Sequence, residues 1–378
     1  MTVIHVADPR TGEEVAGVLE NEVRIALDCE AAGFHRYSDR LCLLQLSTES
    51  TTYLIDPLAF DPSDVLRPAL QRPGLEVIMH GADYDLRLLD RDLGIRLGGL
   101  FDTQAAAALL GEPGLGLSAL LEKYLGITVS KKYQRADWAQ RPLSDEMLDY
   151  AASDTRHLHD LADLLVARLE EAGRTDWARE ESLRLEDIRW VESPEEDPVA
   201  RFKELRELEP REVAALREAL VWRDEVAREK DRAPFRIAGN PVLLEVVREH
   251  PRNVGELGRV SGFSPALAHS DGKDLLRRLD RIAALPDAEL ISAPPRVRNG
   301  PGRPLPEVEE LAQRLKVVRN RRAEELGIDR GTVLSNGLLL EVAQRAPRDR
   351  AGLEAIPGIR KWQVEALGDG LLEVLNKG

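Results

Sequence analysis

A stretch of 26 residues occurs twice in this chain. AGNPVLLEVVREHPRNVGELGRVSGF (238–263) aligns without a gap to LSNGLLLEVAQRAPRDRAGLEAIPGI (334–359), with nine identical positions and largely matching apolar ones. Solenoids repeat at roughly 20–50 residues and need several copies. Here there are two copies, offset by 96 residues. Each must therefore close its own small core. The periodicity around both is helical, so two small all-α domains are expected. Two segments read as linkers: VESPEEDPVA (191–200), acidic with two prolines, and APPRVRNGPGRPLPE (293–307), whose composition disfavours a packed core.

The N-terminal half has a different rhythm. EVRIALDCE, LCLLQLST and TTYLIDP read as three strands joined by short turns, and LEVIMH as a fourth. GADYDLRLLDRDLG places Leu86, Leu89 and Leu93 at helical spacing, with Gly94 as a stop. TQAAAALLG and LSALLEKYLG read as further helices. Strands that begin in hairpin succession and then alternate with helices imply a mixed α/β sheet.

A chain of 378 residues is too long for one small core. No apolar run approaches the roughly 20 residues of a membrane span. The start, MTVIHVADPRTGEE, is acidic where a signal peptide would be apolar. A cytoplasmic location is expected. Cys29 and Cys42 read as core thiols, without disulfide or metal-ligand spacing. The net charge of −15 is uneven: residues 1–200 carry −18 and residues 201–378 carry +3. The first half suits cations, and the second is not repelled by phosphate.

Within the acidic half, Asp28 and Glu30 lie two apart on a strand, so both point to one face. Unpaired, two such anions are costly, and a divalent cation removes the penalty. Asp83 and Asp85 sit at a strand-to-helix junction, where an aspartate can also be a cap. Tyr150 and Asp154 are one helical turn apart and share a face. Ser144 is the expected N-cap of that helix, and the dipole favours Asp145 and Glu146 in its first turn.

In order, the chain carries D-x-E on a strand, H-G-A-x-x-D at a helix start and Y-x-x-x-D within a helix. This combination resembles the DEDD exonuclease superfamily in its tyrosine-bearing subgroup. RLCLLQLST, LFDTQAAAALLG and KKYQRADWAQRPLSDEMLDYAASDTRHL look like ribonuclease D and its relatives, so the likeness covers residues 1–200 almost continuously. The duplicated unit resembles the HRDC domain, a helical nucleic-acid-binding module. The resemblance implies an α/β, ribonuclease-H-like mixed-sheet exonuclease domain (1–195), followed by small all-α domains at 200–285 and 306–378.

It also implies that Asp28, Glu30, Asp85 and Asp154 hold two divalent ions, Mg²⁺ or Mn²⁺. The residues alone do not separate Asp83 from Asp85; the family motif selects Asp85. Tyr150 is then expected to position the attacking water. The implied reaction is hydrolysis of RNA from the 3′ end to nucleoside 5′-monophosphates, in maturation of tRNA precursors and other structured RNAs. Phe34, His35 and Tyr37 could stack on terminal bases, and Gln45 could contact substrate, whereas Leu43 reads as core. His80 reads as a support of the strand–helix turn. Lys131, Lys132, Tyr133, Arg135 and Trp138 form a basic segment with interleaved aromatics suited to RNA, though Trp138 equally suits core packing. The Arg-rich helix QRLKVVRNRRAEE (313–325) could meet phosphate.

RNA is thus the expected partner, with no membrane and no obligate protein partner. Two other readings stay open: a DNA 3′–5′ exonuclease, and a non-catalytic RNA-binding scaffold. The intact set of acids with Tyr150 argues against the second, and no G-x-x-x-x-G-K-[ST] stretch ties the chain to a helicase.

Overall fold

The computed structural model describes residues 2–192, 196–291 and 304–377. Most of the linker expected at 293–307, and part of that at 191–200, lies outside the described residues. The nuclease half comprises β1 (Thr2–Val6), α1 (Pro9–Leu19), β2 (Arg24–Ala31), β3 (Leu41–Ser47), β4 (Thr51–Ile55), α2 (Ser63–Leu70), β5 (Glu76–Met79), α3 (Asp83–Leu88), β6 (Leu100–Asp102), α4 (Thr103–Leu109), α5 (Leu117–Leu125), α6 (Asp145–Arg156), α7 (Leu158–Glu171) and α8 (Thr175–Glu186).

The strands form one six-stranded sheet in the order β1-β4-β3-β2-β5-β6. β2, β3 and β4, the three strands expected in succession, form an antiparallel meander; β1, β5 and β6 join in parallel. The sheet is therefore mixed, as expected. The alternation of β2 decides where its acids go. Ile25, Leu27 and Cys29 pack in one core with Val15 and Leu19 of α1, Leu66 of α2 and Leu86 of α3. Ala26, on the opposite face, packs beneath α4 and α7. Asp28 and Glu30 share the face of Ala26. There Leu43 and Leu54 pack against Met147, Ala151 and Ala152 of α6.

The C-terminal half contains α9 (Pro210–Glu229), α10 (Pro234–Ile237), α11 (Asn240–Glu249), α12 (Val254–Leu257), α13 (Pro265–Ser270) and α14 (Gly272–Ala284), then α15 (Pro306–Leu326), α16 (Arg330–Val333), α17 (Asn336–Arg345), α18 (Arg350–Glu354) and α19 (Lys361–Asn376). Each set closes its own core, around Trp222 and Leu243 in the first and Leu315 and Leu339 in the second. The duplication reaches to single bonds. Arg223 Nη1 donates to Ala238 O (3.1 Å) and Asn240 Oδ1 (2.7 Å). Arg319 Nη1 donates to Leu334 O (2.8 Å) and Asn336 Oδ1 (3.0 Å). α11 and α17 end on left-handed residues that are not glycine, His250 (φ 46°) and Ala346 (φ 42°). No described helix is long and apolar enough to cross a membrane.

Candidate active site

Asp28, Glu30 and Asp154 each offer a carboxylate oxygen within 4.8 Å of the others. Strand alternation supplies the first two and α6 the third. Ser144 caps α6 as expected, accepting from Met147 N at 3.3 Å. Ser47 on β3 ties the helix to the sheet by a 2.7 Å hydrogen bond to Thr155, the neighbour of Asp154.

The fourth acid comes from α3. Asp83 is exposed and pairs with Arg87 at 3.0 Å, whereas Asp85 is buried. The turn before α3 is fixed from beneath. Asp102 Oδ2 accepts from Ala82 N (2.8 Å), and Thr103 Oγ1 bonds His80 Nδ1 (2.9 Å). Gly81 has φ +71°, a left-handed conformation that favours glycine, and a Cβ there would also press on the Gln104 amide at 3.2 Å. Asp85 is not among the three acids within 4.8 Å, but its charge acts on Glu30, and that of Asp28 acts on it. His80 thus serves the turn, as its sequence position implied.

The electrostatics are those of an uncompensated anionic site. Burial, first, pushes Asp28 up to about 7 and Asp154 up to about 8, the latter aided by the charge of Asp28. Burial and the neighbouring carboxylates hold Glu30 and Asp85 well above the carboxylate range. Among the described residues, no Arg, Lys or His forms an ion pair with any of the four. An all-oxygen donor set, half-buried at Asp28, Glu30 and Asp154 and buried at Asp85, without a counter-ion among the described residues, fits hard divalent cations.

Tyr150 stands between Tyr133 (centroids 5.9 Å apart) and Trp138 (6.0 Å). Burial, then the charges of Asp154, Glu30 and Asp28, raises its phenol. It stays protonated and can donate a hydrogen bond; it is not poised as a base. The 131–142 segment that carries these rings is held by Arg141, which nothing in the sequence singled out. Arg141 grips Asp56 twice (2.6 and 2.7 Å) and donates to the carbonyls of Cys42 and Trp138.

The other expected contacts divide. Trp138 is 1 % exposed and packs with Met147 and Ala151, so it supports Tyr150 from within the core and presents no face to RNA. Leu43 is core, as expected. Gln45 is fully buried opposite Asp28 in the β2–β3 ladder, and neither of its amide atoms has a partner among the described residues. Lys132 is exposed, 4.7 Å from the Tyr133 ring centroid. Tyr37 turns to the first helical copy: its hydroxyl donates to Asp224 (2.9 Å) and accepts from Arg228 (3.0 Å). The structure thereby removes its ring from the set free to stack on bases. His35 Nε2 lies 2.9 Å from Arg135 O, and Phe34 is exposed.

Known proteins resemble this chain in sequence and architecture. A 3′–5′ exonuclease family matches residues 3–170, and the HRDC domain family matches residues 212–279 and 308–375. Ribonuclease D of Pseudomonas paraeruginosa is 31 % identical over 356 residues, covering 93 % of this chain and 92 % of that one. The crystal structure of the catalytic core of RRP6 from Trypanosoma brucei superposes with TM-score 0.66 at 30 % identity, covering 75 % of this chain and 80 % of that one. Escherichia coli RNase D, at 24 % identity, shares the fold with TM-score 0.65 over 100 % of this chain and 99 % of that one.

Proposed function

The chain belongs to the ribonuclease D family and is a metal-dependent 3′–5′ exoribonuclease, and on that premise we propose how its residues act and on what. Its catalytic residues are Asp28, Glu30, Asp85, Asp154 and Tyr150. The observation that carries this reading is the trio of half-buried carboxylates within 4.8 Å of one another, without a cationic partner among the described residues. The charge of Asp28 acts on each of the other three acids, and Asp28, Glu30, Asp85 and Asp154 would together hold two Mg²⁺ or Mn²⁺ ions. When bound, such ions activate the attacking water and offset the charge on the departing 3′ oxygen.

The protein's own groups do the rest. The phenol of Tyr150, kept protonated, orients the attacking water. Trp138 and Arg141 hold that phenol in place. The amide of Gln45 lies on the face of Asp28, too deep to meet substrate directly, and is placed to bond a carboxylate that rotates toward it. The products are nucleoside 5′-monophosphates, and the substrates are the 3′ tails of tRNA precursors and other structured RNAs in the cytoplasm. The division of labour is an exonuclease domain at 1–195 and HRDC domains at 200–285 and 306–378.

The test is hydrolysis of 5′-labelled and 3′-labelled RNA, with matched DNA, in Mg²⁺ and in chelator. The reading expects stepwise shortening from the 3′ end, release of 5′-monophosphates, preference for RNA and loss of activity in chelator. Equal turnover of DNA would favour the DNA exonuclease instead. No turnover of either would leave a binding scaffold.

A further inference from the structure

Two phenylalanines stand open to solvent where the nuclease domain meets the first helical copy. Phe34, four residues beyond Glu30, is 41 % exposed, and Phe235 of α10 is 51 % exposed. They come from sequence positions 201 residues apart, yet their ring centroids are 5.5 Å apart at 53°. Arginines flank the pair. The Arg236 guanidinium lies 4.7 Å from the Phe34 centroid and 5.9 Å from that of Phe235; that of Arg135 lies 5.7 Å from Phe34.

The pair is held by bonds that cross the domain boundary. Arg236 Nε donates to Phe34 O (2.7 Å), and Ala233 N to His35 O (3.0 Å). Arg36 pairs with Asp231 across the boundary (3.3 Å) and with Asp137 of its own domain (2.8 Å), and Tyr37 is bonded to Asp224 and Arg228. Neither exposed ring is needed to fold a helical copy of this kind. In the second copy, 96 residues on, Gly331 and Thr332 stand where Phe235 and Arg236 do. The α16 turn there forms without an aromatic, and its one cation, Arg330, stands where the first copy has Pro234.

Large exposed rings beside fixed guanidinium groups suit the unpaired bases and phosphates of a single strand. Base–aromatic stacking is worth about 1–3 kcal/mol per base and tolerates any sequence. Arginine adds cation–π contact and phosphate pairing. We propose that Phe34, Phe235 and Arg236 form a stacking platform, shared between the nuclease domain and the first helical copy, that holds an unpaired nucleotide of the RNA 5′ of the scissile bond. This rests on the exoribonuclease reading above. It makes the first copy part of the substrate path, and it makes the docking of Tyr37 a condition for a complete RNA site.

The experiment uses the full chain, wild type, F235A and F235W, with phosphorothioate-protected single-stranded RNA carrying 2-aminopurine at successive positions from the 3′ end. Binding is read by anisotropy and stacking by quenching. The platform predicts quenching at one or two adjacent positions in the wild type. It predicts loss of that quenching and a Kd about 5- to 150-fold higher in F235A, from the stacking energy. F235W should restore both. Unchanged Kd and quenching in F235A, with wild type still shortening RNA, would overturn the platform and leave the exoribonuclease reading standing. A weakened F235A that F235W does not restore would mark Phe235 as interface packing and likewise overturn it. A wild-type protein that neither binds nor shortens RNA would sink the exoribonuclease reading itself.

Discussion

In the first helical copy Arg223 reaches Ala238 and Asn240; in the second Arg319 reaches Leu334 and Asn336, each position 96 residues from its counterpart. The residues that dock the copies show no such correspondence. The first copy meets the loop after β2 through Asp224, Arg228 and Asp231, where the second has Asn320, Glu324 and Gly327. The second copy meets α8 instead. Trp362 stacks on Trp177 with centroids 4.7 Å apart, and Glu180 accepts from the backbone N–H of Lys361 and Trp362. At the matching places the first copy has Pro265 and Ala266. Arg174 closes this second junction by donating to Leu109 O and Leu326 O, both at 2.7 Å. Duplication thus preserved what folds each copy and left its surface free to diverge. One copy docks on the loop that follows β2, and the other braces the sheet domain from α8.

The largest effect should arise outside both copies. Tyr150→Phe removes the phenol and keeps the ring, and losing one preorganised hydrogen-bond donor at a reacting centre costs about 10²–10³ in rate. Single-turnover hydrolysis should fall by that factor on short and structured RNA alike, with RNA affinity and melting temperature nearly unchanged. A fall of less than about fivefold would reduce Tyr150 to packing.

The second junction comes next. Trp362 is 2 % exposed, and truncating a buried tryptophan costs about 3–5 kcal/mol. Trp362→Ala should lower the melting temperature by several degrees or more while a short single-stranded RNA is hydrolysed at a near-normal rate. If turnover of the short strand falls along with stability, the two copies are not divided as described.

A smaller, matched pair of changes probes the shared part. Arg223→Met and Arg319→Met each leave an Asn side chain and a carbonyl short of a donor, at about 1–3 kcal/mol. Denaturant unfolding should show two similar losses. A loss at one site alone would mean that the clasp matters to one copy only.

Much of this arrangement was legible beforehand, for local reasons. Asp28 and Glu30 share a face because strands alternate. Tyr150 and Asp154 share one because helices turn every 3.6 residues. Ser144 capped its helix because capping depends on neighbours a few residues away. What was not legible depends on partners far along the chain. β1 is a strand because β4, some 50 residues on, pairs with it. β6 spans three residues and relies on β5. Tyr37 looked free to stack because Asp224 lies 187 residues away. Trp138 looked half available because the Arg141–Asp56 clamp that folds its segment inward spans 85 residues. Asp83 and Asp85 differ only once α3 is set against the sheet.

The central claim is that the four acids wait for cations. The unfolded chain holds its carboxylates near about 3.9. Folding raises Asp28 to about 7 and Asp154 to about 8, chiefly by burial. The folded protein therefore binds more protons than the unfolded chain in between. Without metal, its stability should be highest below the unfolded value and decline as pH rises through about 7–8. Divalent cations compete with those protons for the same oxygens. The decisive measurement is the melting temperature with and without saturating Mg²⁺ from about pH 5 to pH 8. The gain from Mg²⁺ should be small at the acidic end and grow with pH, and Asp28→Asn should reduce both the metal-free decline and the gain. A gain independent of pH, or no gain at all, would contradict the assignment of these carboxylates as a metal site.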